Sequence, residues 1–342
     1  MPMTNIRIGV IGYGYWGPNM VRNFFEAPGS KVVMVSDLRP ERLSLVQSRY
    51  PAVRVTQKTS ELIESPEVDA VIVSTPVSSH YELALQALQA GKHVLVEKPL
   101  TATTDQAKAL IEMAERKQRV LMVDHTFAYT GAVRKIHDLI ASGELGDLYY
   151  YDSVRVNLGL FQHDVSVLWD LAVHDLAIMG YILPMKPLAV SATGITHVKN
   201  SPEDVAYLTL YFEGSMIAHI HVNWLAPVKI RRTLIGGNRK MIVYDDLEPS
   251  EKIKIYDKGI TLNNGAENVY QLLVSYRTGD MVAPQIDGSE ALRNEAVHFL
   301  KCIEEGKRPL TDGQAGLQVV KILEAATRSL KDKGKPVELT TL

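Results

Sequence analysis

Cysteine is almost absent: Cys302 is the single one in 342 residues. No intrachain disulfide can form, and a reducing, cytoplasmic setting is expected. Long apolar runs are missing too, and nothing approaches the roughly 18 uninterrupted apolar residues of a membrane helix. The start, MPMTNIRIGVIGYG, has no charged leader, apolar block and cleavage site in series. There is no excess of one charge. The formal net charge is -2, which gives no basic field for nucleic acid or an anionic membrane. Internal repeats and low-complexity tracts are also lacking.

What remains is ordinary globular composition, with 46% hydrophobic and 22% charged residues. The length suits two domains, each with its own core. In the first third, short Val- and Ile-rich runs recur: Ile6–Ile11, Val32–Ser36, Ala70–Ser74, His93–Val96 and Val120–Val123, with Val53–Val55 weaker. Runs apolar on both faces fit strands covered on both sides. Between them lie helical patterns such as Tyr81–Ala90 and Thr104–Lys117, where apolar residues recur at helical spacing. This alternation predicts a parallel, doubly wound sheet over residues 1–125.

The pattern then changes. A helix over Ala132–Ser142 leads to strand candidates Leu148–Val156, Ala206–Phe212, Met216–Trp224, Arg231–Ile235 and Lys240–Tyr244. Gly236-Gly237-Asn238 reads as a hairpin turn. Helices over Glu290–Glu305 and Gln314–Ser329 close the chain. Residues 126–342 are therefore expected to form an α+β domain with a large, mostly antiparallel open sheet. Both alternating sets of Met216–Trp224 carry large side chains, which suggests a sheet buried on both faces and a homodimer or homotetramer.

Gly12-Tyr13-Gly14-Tyr15-Trp16-Gly17 follows the first strand and opens a helix, the context in which G-x-G-x-x-G binds a dinucleotide. Gly12 suits a tight turn, Gly14 a close approach of pyrophosphate, and Gly17 close packing of helix on strand. Tyr15 and Trp16 sit beside that site. Asp37 ends the second strand and can accept the ribose hydroxyls. It would repel a 2′-phosphate, so NAD is favoured over NADP, with Arg39 nearby as a partial offset. Two further loops leave strand ends at the edge where ligands sit: Thr75-Pro76 with His80, and Glu97-Lys98-Pro99.

The stretch WDLAVHDLAIM, residues 169–179, buries two acids and a histidine among apolar residues, which is costly without partners. A metal drawing on His163, Asp164, Asp170 and His174, a proton relay, and plain core polarity are the three readings. No cysteine lies nearby to serve as a ligand, and no metal is expected.

GVIGYGYWG, VSD, TPVSSH, AGKHVLVEKPL, D-x-x-x-H and the late PLTDG occur in this order over nearly the whole chain. Together they resemble the glucose–fructose oxidoreductase / inositol dehydrogenase / MocA (Gfo/Idh/MocA) family. That resemblance implies a Rossmann domain, an NAD-dependent dehydrogenase, and a catalytic trio of Lys98, Asp170 and His174. In that trio His174 is the general base, Lys98 holds the reacting oxygen, and Asp170 orients substrate and histidine. Many members carry Asn where this chain has Val77, which weakens the inferred cofactor contact there. The runs DHTFAYTGAVRKI and NLGLFQHDVSVLWDLAVHDL look closest to members acting on nucleotide-linked amino sugars. They imply oxidation at carbon 3 of a UDP-N-acetylhexosamine. A free sugar, an inositol, a dihydrodiol, NAD-dependent glycoside cleavage and a non-catalytic regulator stay as alternatives. Tyr129, Arg155, Asn157 and His163 are the candidate substrate-lining residues. Ser153, Arg155 and Asn157 share one strand face, and Arg155 is suited to a carboxylate or phosphate.

Overall fold

The computed structural model describes residues 5–159, 165–199, 201–262 and 274–341. Two compact units emerge: residues 1–130 with 289–321, and residues 131–288 with 322–342. Residues 289–321 group with the first unit.

The first unit alternates Ile6–Ile11 (β1), Gly17–Glu26 (α1), Ser30–Ser36 (β2), Pro40–Arg49 (α2), Arg54–Thr56 (β3), Thr59–Ile63 (α3), Ala70–Val73 (β4), Val77–Gln89 (α4), His93–Glu97 (β5), Thr104–Lys117 (α5) and Leu121–Asp124 (β6). Its six strands lie in the order β3-β2-β1-β4-β5-β6, every pair parallel. The order reverses between β1 and β4, the switch point at which doubly wound sheets bind ligands. Ile8, Val10, Ile72, Val73, Val94 and Val96 are fully buried, as expected for strands with helices on both faces.

The second unit contains Gly131–Ala141 (α6), Leu148–Leu158 (β7), Val173–Ile182 (α7), Ala189–Ile195 (β8), Val205–Tyr211 (β9), Ile217–Asn223 (β10), Leu225–Gly237 (β11), Met241–Asp245 (β12), Ile253–Leu262 (β13) and Val274–Val282 (β14). Ala291–Glu305 (α8) belongs to the first unit. Gly313–Lys331 (α9) starts in the first and ends in the second, where Val337–Glu338 (β15) completes the chain's strands. The nine strands run β14-β13-β12-β11-β7-β10-β9-β8-β15. Only β10 and β7 pair in parallel; the other pairs are antiparallel. β8, β13, β14 and β15 were not singled out from sequence.

The face of β9 and β10 carrying Ala206, Leu208, Leu210, Ala218, Ile220 and Val222 is buried. Tyr207, Tyr211 and Ile217 on the other face stay about 40% exposed or more: 41%, 40% and 44%. The expected burial on both faces is thus not met within one chain.

A polar pin fixes α7 on β7. Arg155 Nε donates to Asp175 Oδ2 at 2.6 Å, and Ser153 Oγ donates to Asp175 Oδ1 at 2.7 Å. Both charged residues are under 5% exposed. Removing one member of a buried pair strands the other charge. Asp175→Ala should therefore destabilise the chain by about 3–5 kcal/mol. The double change Asp175→Leu with Arg155→Met should cost less than Asp175→Ala alone. Urea unfolding of both variants checks this order.

Candidate functional site

The glycine turn is built by steric necessity. Gly12 has φ 96°, and a Cβ on it would lie 2.3 Å from the carbonyl oxygen of Ser74. A Cβ on Gly17 would lie 2.2 Å from the Gly12 carbonyl oxygen. Gly14 is different: its only neighbour within 4 Å is Arg39 Nη2, at 3.6 Å, which is ordinary contact. The first two glycines close the turn, and the third leaves room above it. α1 follows with no side-chain cap and no acid in its first turn. A helix start of that kind presents N–H groups and a positive dipole end to an anion. The cradle fits a dinucleotide pyrophosphate.

Asp37 sits at the end of β2, 7% exposed. Its Oδ2 accepts the Tyr13 N–H at 2.7 Å, and its Oδ1 accepts the Arg39 N–H and Nε, both at 3.0 Å. Burial pushes this carboxyl up, but the Arg39 and Tyr13 hydrogen bonds outweigh it and hold it below the usual range. A stably charged carboxylate is the acceptor that ribose hydroxyls require. Arg39 is half exposed and covers both oxygens, so an incoming ribose shares or displaces it. A 2′-phosphate arriving there meets a guanidinium as well as an acid.

At the neighbouring strand ends, the structure reassigns one residue. His80 was expected to touch the cofactor. It is 1% exposed, with Nδ1 2.8 Å from the Pro99 carbonyl oxygen and Nε2 2.8 Å from that of Thr75. The ring lies between the two carbonyls, donating its single N–H to one of them, and so sits buried between the Thr75-Pro76 loop and the Glu97-Lys98-Pro99 loop. Thr75 is half-buried and bonded through Oγ1 to Ser79 Oγ at 2.7 Å, while Pro76 is exposed and caps α4.

Glu97 closes β5 and pairs in register with Asp124 of β6. Lys98 and His125 therefore leave adjacent strand ends side by side. His125 is buried, and its imidazole is pushed down to about 4 by burial first and by the Lys98 charge second. It is neutral at pH 7. Tyr15 is 89% exposed beside the turn. Trp16 is half-buried and donates its Nε1–H to Asp124 Oδ2 at 2.7 Å. Asp124 and His125 were not identified from sequence, where nothing but position marks them.

Tyr129 was expected to line the substrate site. It is fully buried, with its hydroxyl 3.0 Å from Thr311 Oγ1 and its ring against His298. It is a core residue of the first unit.

In the second unit, Asp170 lies in a single π-helical turn, Leu168–Ala172, which runs into α7. Turns of the π type are rare and frequent at functional sites. Asp170 Oδ2 accepts the Trp224 indole N–H at 3.1 Å. Asp170 and His174 are both half-buried, whereas Asp175 is 2% exposed and engaged by Arg155. So the motif divides: Asp175 is core polarity, and Asp170 and His174 remain accessible.

Arg155, expected to hold an anionic substrate group, is 4% exposed and committed to Asp175. Its burial removes it from that role. Asn157, two residues on, is half-buried. His163 and Asp164 lie outside the described residues. Among the described residues, no group of three or more His, Cys, Asp or Glu is arranged to hold a metal ion. None of their helices is long and apolar enough to cross a membrane.

The family model described as "Oxidoreductase family, NAD-binding Rossmann fold" matches residues 6–125. A second, the "GFO/IDH/MocA C-terminal domain", matches residues 133–243. The chain is 27% identical over 353 residues to a scyllo-inositol 2-dehydrogenase (NADP(+)) of Bacillus subtilis (strain 168), covering 97% of this chain and 95% of that protein. It is 28% identical over 324 residues to a UDP-N-acetylglucosamine 3-dehydrogenase of Acidithiobacillus ferrooxidans, covering 93% and 95%. A solved structure of UDP-N-acetylglucosamine 3-dehydrogenase from Acidithiobacillus ferrooxidans superposes with a TM-score of 0.76 at 26% identity, covering 95% of this chain and 98% of that one.

Asp37→Ala should weaken NAD about tenfold, the loss of one charge-assisted hydrogen bond, and narrow the preference for NAD over NADP. Arg39→Ala should weaken NADP more than NAD. Calorimetric titration of both cofactors against both variants measures the four affinities.

Proposed function

This chain belongs to the Gfo/Idh/MocA family of oxidoreductases with an NAD-binding Rossmann fold, and we propose that it oxidises a ring carbinol of a sugar, carbon 3 of a UDP-N-acetylhexosamine. The observation that carries this reading is the division of the D-x-x-x-H stretch. Asp175 is consumed by the core, while Asp170 and His174 stay half-buried. A binding module has no need of an acid and an imidazole half-buried one turn apart.

Bound NAD supplies the hydride acceptor. His174 takes the hydroxyl proton as the carbinol carbon loses hydride, and returns it in the reverse direction. Lys98 donates a hydrogen bond to the same oxygen and stabilises the negative charge that grows there. Asp170, held by Trp224, orients His174 and a substrate hydroxyl. Asn157 and His163 are the remaining candidates for substrate contact.

Support for a nucleotide sugar comes from the relative acting on UDP-N-acetylglucosamine. The inositol dehydrogenase relative, of comparable identity, favours a cyclic polyol as the second reading. We further take the protein to be a cytoplasmic homodimer or homotetramer, on the strength of the exposed apolar side chains on the outer face of β9 and β10.

Incubation with NAD and a panel of UDP-N-acetylhexosamines, inositols and free sugars should yield NADH with the first class. Turnover of inositols alone would move the assignment to the polyol. Net hydrolysis without NADH would mark a glycosidase, and no turnover with any substrate would mark a regulator. Lys98→Ala and His174→Ala should each lower kcat by about 10²–10⁴-fold with NAD affinity within about twofold of wild type. Retained turnover in both discards the trio. Light scattering should show a dimer or larger species, and a monomer alone rejects the assembly.

A further inference from the structure

The end of β6 holds buried titratable groups that the reaction does not use. Asp124 is 2% exposed and Glu295, from α8, 1%. Asp124 accepts the Trp16 indole N–H at 2.7 Å and a hydrogen bond from Thr126 Oγ1. Neither Glu295 oxygen makes a hydrogen bond of ordinary geometry. The groups that bear on it are the carboxyls of Asp124 and Glu97 and the hydroxyl of Thr126. α8 packs against the turn Thr126–Tyr129 and against α1.

Two carboxyl groups in one dry place do not both ionise. Asp124 accepts hydrogen bonds from two donors. The groups that bear most on Glu295 include no cation. On α1, Arg22 and Asn23 turn to Glu290 instead. Tyr129 faces Glu295 from the turn and brings no positive charge. Lys98 bears on the neighbouring His125, which is neutral.

We propose that Asp124 is a positioning residue for the glycine turn: its carboxyl anchors the Trp16 indole where the turn meets the dinucleotide, while the neighbouring Glu295 remains a neutral carboxylic acid with no part in that contact. Burial, then the Asp124 charge, raises the Glu295 carboxyl well above its usual range, in the direction the assignment requires. Trp16 is the residue immediately before Gly17, so an anchored indole fixes the last step of the turn before α1 begins. The arrangement rests on the dinucleotide occupying that turn.

The test uses the whole protein at pH 7. Infrared spectroscopy of the ligand-free chain should show a protonated carboxylic-acid carbonyl band that disappears in Glu295→Gln. Tryptophan emission, with Trp16→Phe as the blank that isolates the Trp16 component, should shift in Asp124→Ala and stay as wild type in Glu295→Gln. Asp124→Asn, which keeps an oxygen acceptor, should restore that emission in part. NAD affinity should fall about tenfold in Asp124→Ala and remain within about twofold in Glu295→Gln. A band that persists in Glu295→Gln, or a Trp16 component unmoved by Asp124→Ala, overturns the proposal. If Asp124→Ala does not fold, the infrared band and the emission of Asp124→Asn still decide it. Failure of wild type to bind NAD would instead reject the cofactor reading, with the two spectroscopic results unaffected.

Discussion

The close approach of three backbone segments at the switch point of the parallel sheet is the constraint on which the rest depends. The Ser74 carbonyl lies where a Gly12 side chain would be, and the Gly12 carbonyl lies where a Gly17 side chain would be. Any larger residue at either position would move the helix start away from the strand ends. That packing brings the α1 terminus, the Asp37 carboxylate and the loops after β4, β5 and β6 along one edge of one sheet. Backbone crowding, rather than any side-chain contact, makes the edge a binding surface.

Along that edge the polar side chains sort by what they are committed to. His80 is buried between two loop carbonyls, each 2.8 Å from a ring nitrogen. Asp124 accepts the Trp16 indole N–H. In the second unit, Asp175 is consumed by Arg155 and Ser153. Buried polar groups need such partners, because each one left unsatisfied costs about 1–3 kcal/mol. With Asp175 taken up in this way, Asp170 and His174 stay half-buried. The two acids of the D-x-x-x-H-D stretch, five residues apart in one continuous segment, therefore take opposite roles.

The outer face of β9 and β10 is the other feature in need of an account. Tyr207 stacks on His221 with centroids 4.4 Å apart, and Tyr211 and Ile217 stand partly in solvent nearby. Large side chains on both sets of a strand promise two buried faces only when something covers the second, and the described residues of one copy leave Tyr207, Tyr211 and Ile217 exposed.

By itself the sequence determined the local and periodic features. The apolar runs located β1, β4 and β5 to within a residue or two, because a strand covered on both faces has no freedom to be polar. The glycine spacing located the turn, because only glycine tolerates those contacts. The order of EKP and D-x-x-x-H pointed to the family. Tertiary structure alone decided where each polar group spends its hydrogen bonds. Arg155 read as an anion binder and Tyr129 as a lining residue because a strand face and a loop end look open in one dimension. Their partners, Asp175 and Thr311, come from elements 20 and 182 residues away. The same holds for Glu295, an unremarkable helical glutamate until α8 returns to the first unit beside Asp124. Burial and pairing are long-range properties, and no local pattern of residues encodes them.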